Sequence, residues 1–353
     1  MPHRITIPTA YHKALFMPAR INTIGSTMKV VSVPSCSDDA GGLPASTIVL
    51  DNPSGAVKAI VNARNLTALR NAGGKPSLTR SVPPIGSLLS TTLVGPKEPD
   101  HIVAFGAGQQ ISAHLDVHFR EFPTIKTCTI VNRSLNSRVE RLIAKLKDAH
   151  PSVKTTALAL NAEDGNANME VKEELARASI IITATSSKAP LFPSSWVPTG
   201  AHIILIGSYT KEMKEVDTDL VMRAVRSQVS DGVSPRLLVD SVEACFQEAG
   251  ELLEAGLNEE QTQEIGSLVL DARAQNDQAT PSEMRKILCS GLKETTEKEA
   301  ATFDGPVTMF KSVGLGLQDV AIACAVVEQA EKMIAESSAA DLGVIVDSYD
   351  QVI

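Results

Sequence analysis

The residues best suited to chemistry in this chain begin at His101-Ile-Val-Ala-Phe-Gly-Ala-Gly-Gln-Gln-Ile111. An apolar run breaks into two glycines one residue apart, Gly106 and Gly108, with Ala107 between them and a helix-competent segment after Gln109. That is the strand–turn–helix junction on which a dinucleotide pyrophosphate sits. Gly106 permits the sharp turn and Gly108 lets the backbone approach the phosphates, while the helix N-terminus supplies unpaired N–H groups. The usual third glycine is replaced by Ile111. The next apolar run starts at Thr127 and ends in Asn132-Arg133-Ser134, where the strand tip would meet the adenosine ribose. An acidic residue there binds a 2′-hydroxyl, whereas Asn132, Arg133 and Ser134 suit a 2′-phosphate. The pair of motifs predicts NADP(H) as the preferred cofactor, with NAD(H) as the alternative.

Such a turn needs a sheet to hold it. Ser179–Thr185, Ala201–Gly207 and Arg236–Asp240 are short apolar runs ending in small or polar residues, the pattern of parallel strands buried on both faces. Helical patterns lie between them, from Ser134 to His150 with Val139, Leu142, Ile143 and Leu146, and from Asp217 to Val225. The first seventy or so residues are β-rich. Thr47–Asp51 and Ala56–Val61 flank the breaker-rich turn Asn52-Pro-Ser-Gly55, and Lys29–Val33 is a further strand. Gly73 to Ile85 holds three prolines and two glycines and interrupts an otherwise helical stretch from Leu66 to Leu93, which predicts a flexible insert. Gly316 to Glu336 reads as a long helix with an apolar face, returning to the first domain. The expected fold class is α/β: a Rossmann-type nucleotide domain over 98–314, and a smaller α+β domain formed by both chain ends, 1–97 and 315–353.

Composition narrows the function classes. The chain has 353 residues, 43% of them hydrophobic, so it can build a sizeable core in two domains. A net charge of −8 without a basic stripe argues against a nucleic-acid partner. Cys36, Cys128, Cys245, Cys289 and Cys324 show no metal-type spacing, and an odd count fits reduced intracellular thiols. The seven histidines are scattered along the chain, and no metal is expected. No segment has the length of a membrane span and the first residues do not read as a signal peptide, which predicts a cytoplasmic protein without a membrane partner.

Over nearly its whole length the chain resembles the ornithine cyclodeaminase/mu-crystallin family. The matching pieces run in family order: Arg4-Ile-Thr-Ile-Pro8, Met17-Pro-Ala19, Met28-Lys-Val-Val31, Gly42-Leu-Pro44, Leu66-Thr-Ala-Leu-Arg70, Gly106-Ala-Gly-Gln109, Asn132-Arg-Ser134, Thr183-Ala-Thr-Ser186, Ile206-Gly207, Phe310-Lys-Ser-Val-Gly314 and Gln318-Asp319. The resemblance implies a homodimer, with a substrate and dimerisation domain built from both chain ends beside the Rossmann domain. It implies substrates whose carbon bears an amine or imine and a carboxylate. By this likeness Arg4, Lys29 and Arg70 line the substrate pocket, a reading that agrees with the bidentate fit of guanidinium to carboxylate. Lys29 would bind the substrate or exchange protons with the imine nitrogen. Gln109 would lie on the pyrophosphate turn, and Thr185 and Ser186 would flank the nicotinamide side unless they only cap a helix. Gly207, Lys311, Ser312 and Gly314 would lie near that end, and Asp319 would start the last helix.

Three departures shape the functional expectation. Where ornithine cyclodeaminases carry a catalytic Asp after the strand ending at Gly207, this chain has Ser208 and then Tyr209. A phenol with a pKa of about 10 is a poor general base at neutral pH, though it donates a proton or hydrogen bond. The family also carries a segment ahead of the point that is Met1 here, which would make this a truncated or degenerate member. The insert after Arg70 would form a lid or spoil the site. The leading expectation is an NADPH-dependent reductase of small cyclic imino acids, with Lys29 and Tyr209 as catalytic candidates. The alternatives are an ornithine cyclodeaminase, which converts ornithine to proline and ammonia, and a non-catalytic NADP(H)-binding protein that stores a small ligand.

Overall fold

The computed structural model describes residues 4–34, 43–72, 86–160, 165–225, 236–288, 302–336 and 343–344. Among these, residues up to 70 and from 314 onward form one unit, and residues from 71 to 313 form the other. The first unit opens with a meander of five antiparallel strands, β1 (Ile5–Pro8), β2 (His12–Ile21), β3 (Gly25–Pro34), β4 (Ala45–Leu50) and β5 (Val57–Asn62), paired in chain order. The expected hairpin is β4–β5. Its turn is held by the Asp51 carboxylate, which accepts the Ser54 N–H at 3.0 Å, and closes at Gly55 with φ +75°. The expected strand at Lys29–Val33 is the middle of β3. Helix α1 (Ala63–Ala72) follows. The expected insert at 73–85, and its reading as a lid, lie outside the described residues.

The second unit starts with α2 (Ser87–Val94), then β6 (His101–Phe105), α3 (Gln109–Glu121), β7 (Thr127–Asn132), α4 (Ser137–Ala149) and β8 (Lys154–Ala159). It continues with α5 (Gly165–Ala176), β9 (Ile180–Thr183), β10 (His202–Leu205), α6 (Thr218–Arg223), β11 (Arg236–Val239), α7 (Val242–Glu248) and α8 (Gly250–Glu254). It closes with β12 (Gln263–Glu264), α9 (Ile265–Gln275), α10 (Pro281–Leu288) and β13 (Thr308–Lys311). All eight strands are parallel, in the order β8-β7-β6-β9-β10-β13-β11-β12. The strands expected at 179–185, 201–207 and 236–240 are present as β9, β10 and β11, and the expected helices as α4 and α6. Three strands of this sheet lack a clear sequence signal. β8 reads Lys-Thr-Thr-Ala-Leu-Ala, β12 has two residues, and β13 is only four residues, all buried.

The segment from 86 to 97, expected with the first domain, lies in the nucleotide unit. The reason is polar and was invisible to an apolar pattern. α2 is nearly featureless in periodicity but carries Ser87, Ser90 and Thr91, which meet three wholly buried histidines. Ser87 Oγ lies 2.8 Å from His114 Nε2, Thr91 Oγ1 3.0 Å from His118 Nε2, and Ser90 Oγ 3.1 Å from His202 Nε2. The opposite ring nitrogens are partnered as well, by Gln110 O, His114 O and Thr308 Oγ1.

After β13 the chain enters α11 (Gly316–Ala335), which packs on β2, β3 and β4. Ala19, Val49, Val320, Ala323, Cys324 and Val327 form that core, and each fully buried valine contributes about 1.5–3 kcal/mol. Gly316 is required where the helix starts, because a Cβ there would stand 2.9 Å from Ala19 Cβ. Along β3 the buried residues Gly25, Thr27, Lys29 and Val31 alternate with half-buried ones, the pattern of a strand with one covered face.

Candidate active site

The dinucleotide turn has the geometry that its sequence calls for. Gly106 adopts φ +109° and donates its N–H to Val131 O at 2.8 Å, and a Cβ there would sit 3.0 Å from Ala184 O. Ala107 is buried. Gly108 is the N-cap of α3, and a Cβ on it would meet nothing within 4 Å. The helices of this unit allow an internal comparison. Asn136, Asp217 and Ser241 cap α4, α6 and α7 with side-chain hydrogen bonds, whereas α3, like α2, α8 and α9, starts without one. Free N–H groups under open space fit a pyrophosphate. Ile111, at the place of the third glycine, is wholly buried and packs behind the turn. The turn sits between β7 and β9, where the strand order reverses, which is the place for a ligand in an open α/β sheet. At the tip of β7, Asn132 Nδ2 donates to Ser134 O at 2.8 Å, and Arg133 and Ser134 are exposed.

The neighbouring strand tips are tied together by a carboxylate. Glu215, wholly buried, accepts from Thr183 Oγ1 (2.8 Å), Thr185 N–H (2.6 Å), Thr185 Oγ1 (2.9 Å) and Gly207 N–H (2.7 Å). Burial pushes its pKa up, while Lys311 and the donated hydrogen bonds pull it down. Gly207 has no room for a side chain, since a Cβ would lie 2.0 Å from Thr185 O. The Thr185 hydroxyl is thus engaged by Glu215 and caps no helix, and Ser186 beside it is exposed. Beyond Gly207, Ser208 is buried against Lys311 and Glu251, and Tyr209 is half-buried. Asp240, past the end of β11, accepts from Ser312 Oγ at 2.7 Å and holds the segment leading to Gly314, whose φ is +84°.

In the first unit, Lys29 lies on the covered face of β3, 1% exposed, with its ammonium 3.0 Å from Asp319 Oδ2. Leu315, not Asp319, is the N-cap of α11, so the carboxylate one turn inside the helix serves the lysine. Arg4 is half-buried just before β1. Arg70 belongs to α1, with its side chain outside the described ones. Of the expected substrate cations, the structure therefore gives Lys29 a described partner and leaves Arg70 untested. Among the described residues no group of three His, Cys, Asp or Glu is arranged to hold a metal, and no helix is long and apolar enough to cross a membrane.

With this geometry in place, comparison with known proteins decides the family: the ornithine cyclodeaminase/mu-crystallin family matches residues 2–333. The chain belongs to that family. A Delta(1)-pyrroline-2-carboxylate reductase of Colwellia psychrerythraea is 28% identical over 82% of this chain and 75% of its own length. The ketimine reductase mu-crystallin of Mus musculus is 23% identical over 91% of this chain and 82% of its own. Among solved structures, the Thermococcus litoralis Delta(1)-pyrroline-2-carboxylate reductase in complex with NADH and L-proline shares the fold. Its TM-score is 0.66 at 20% identity, covering 94% of this chain and 87% of that one.

Two site residues escaped sequence reasoning. Glu215 has no distinguishing signal in the sequence, because a lone carboxylate in a loop reads as solvated. Glu251 had no signal of its own. The trace of both was Lys311, a charge at the end of an apolar strand, which requires a buried counter-charge.

Proposed function

We propose that this chain is an NADPH-dependent reductase of small cyclic imines carrying an α-carboxylate, of the pyrroline- or piperideine-2-carboxylate type. The observation that carries the reading is the tip of β10, where half-buried Tyr209 follows the held Gly207-Ser208 turn at the place where ornithine cyclodeaminases carry a carboxylate. A phenol protonates or hydrogen-bonds an imine nitrogen but is a poor base for removing a proton from an ammonium at neutral pH. The names of the relatives from Colwellia and mouse support the same class of reaction.

In this reading Arg4 and Arg70 hold the substrate carboxylate, and Lys29, paired with Asp319, adds a donor beside it. The uncapped start of α3 with Gly106, Ala107, Gly108 and Gln109 would hold the pyrophosphate, and Thr185, Ser186, Gly207 and Gly314 the nicotinamide end. A bound nicotinamide supplies the hydride. The exposed Arg133 would pair with a 2′-phosphate, which favours NADP(H) over NAD(H). We also propose a homodimer. The β-meander face opposite α11 carries cross-strand neighbours Ile5, Phe16 and Val30, and Pro18, Met28, Ile48 and Ile60, of which Ile5 and Ile60 are 55% and 61% exposed. The free, buried thiols Cys128, Cys245 and Cys324 support a cytosolic setting.

The test is NADPH oxidation against a panel of cyclic imino acids, with ornithine plus NAD⁺ run alongside. Turnover of a cyclic imine supports the proposal. Ammonia and proline from ornithine would replace it with the cyclodeaminase alternative, and cofactor binding without any turnover would point to a ligand-storage protein.

A further inference from the structure

Lys311 ends β13 opposite Leu205, the last residue of β10. One more backbone bond joins these strands, from Ser312 N–H to Leu205 O at 3.1 Å. Beyond it the Lys311 side chain takes over. Its ammonium donates to the Ser208 carbonyl at 2.6 Å and to Ser208 Oγ at 2.5 Å, and lies 3.1 Å from Glu251 Oε1. Ser208 Oγ donates onward to Glu251 Oε1 at 2.6 Å. Lys311, Ser208 and Glu251 are at most 1% exposed. From the other side Glu215 holds the Gly207 N–H. The turn is gripped at successive residues by buried charge.

A buried lysine–glutamate pair is a weak way to stabilise a core. Desolvation offsets most of its attraction, and an apolar pair of similar volume generally does as well or better. What this pair adds is direction: it converges on one hydroxyl and one carbonyl, both of Ser208, the residue before Tyr209. We propose that Lys311 and Glu251 are positioning residues for the reduction, fixing the Gly207-Ser208-Tyr209 turn through Ser208 so that the Tyr209 phenol keeps a single orientation. The role given to Tyr209 rests on the reductase reading, whereas the rigidity of the turn does not.

Lys311→Met or Glu251→Leu alone strands a buried charge and is expected to unfold the protein. The double variant removes both charges and is expected to melt near the wild type. In it, NADPH affinity should hold, and kcat should fall on the order of tenfold to a hundredfold with little change in imine KM. Amide hydrogen exchange at Ser208 and Tyr209 should accelerate by about tenfold or more. Ser208→Ala, which keeps the charges paired and deletes only the shared hydroxyl, should show the same changes to a smaller degree and serves if the double variant does not fold. Wild-type exchange at 208–209 in a folded variant overturns the proposal, as does faster exchange with an unaltered kcat. Absence of imine turnover in the wild-type protein overturns the reductase reading and the role of Tyr209, while the exchange measurement still decides whether the pair holds the turn.

Discussion

Arg133 stands exposed at the tip of β7 with Asn132 and Ser134 folded around the strand end, and it is the residue on which cofactor choice is expected to turn. Arg133→Ala should weaken NADPH binding by about tenfold to 150-fold and leave NADH nearly unaffected, the scale of one charge-assisted pair. Calorimetric titration of both cofactors checks it, and an unchanged ratio would refute the assignment. Lys29 calls for a different variant, because its ammonium shares a dry site with Asp319. Lys29→Ala should abolish imine reduction, and it should also cost about 3–5 kcal/mol of stability by stranding the carboxylate. Lys29→Ala with Asp319→Asn should recover much of that stability in urea unfolding without recovering turnover. Recovered turnover would return Lys29 to a purely structural role. At this scale the sequence showed the turn glycines well, because turn geometry restricts residue type. It hid Glu215 and Glu251, whose importance comes from burial that only the fold creates.

Helix α2 shows what periodicity misses. Its contacts run from hydroxyls to imidazoles, so neither the apolar pattern nor a charge pattern announced which unit it joins. Strands β9, β10 and β11 were legible because strands buried on both faces are apolar throughout, while β13 was too short to stand out. The histidines beneath α2 also carry a pH signature. Burial lowers the pKa of His114 and His202 to about 3 and of His118 to about 4. An unfolded histidine titrates near 6.5, so below that pH the unfolded chain binds more protons than the native one. Stability contributed by the neutral rings is fully present above about pH 6.5. It is lost as pH falls toward the native values, at up to about 1.4 kcal/mol per pH unit for each histidine. Urea midpoints measured from pH 8 to pH 4 should show a plateau and then a decline, and His118→Gln should make the decline shallower. A midpoint that stays flat below pH 6 would show that these rings protonate without penalty.

For the whole molecule, the first unit leaves one sheet face to α11 and the other with exposed isoleucines. Ile60→Asp is expected to turn a dimer into a monomer in sedimentation velocity without altering the far-ultraviolet spectrum. A wild-type protein already monomeric at micromolar concentration would dismiss the interface. The two-unit plan was readable because both chain ends carried patterns distinct from the middle.

The place of β13 also bears on synthesis. It is inserted between β10 and β11, so a strand made late completes the middle of a sheet begun early. At ~5–20 residues per second, the ribosome needs roughly 5–20 s to pass from Leu205 to Thr308. Throughout that interval the largely apolar strand β10 has no neighbour on one side and is a ready template for intermolecular pairing. That flank stays open until residue 311 leaves the exit tunnel, and the native order of strands is reached only then.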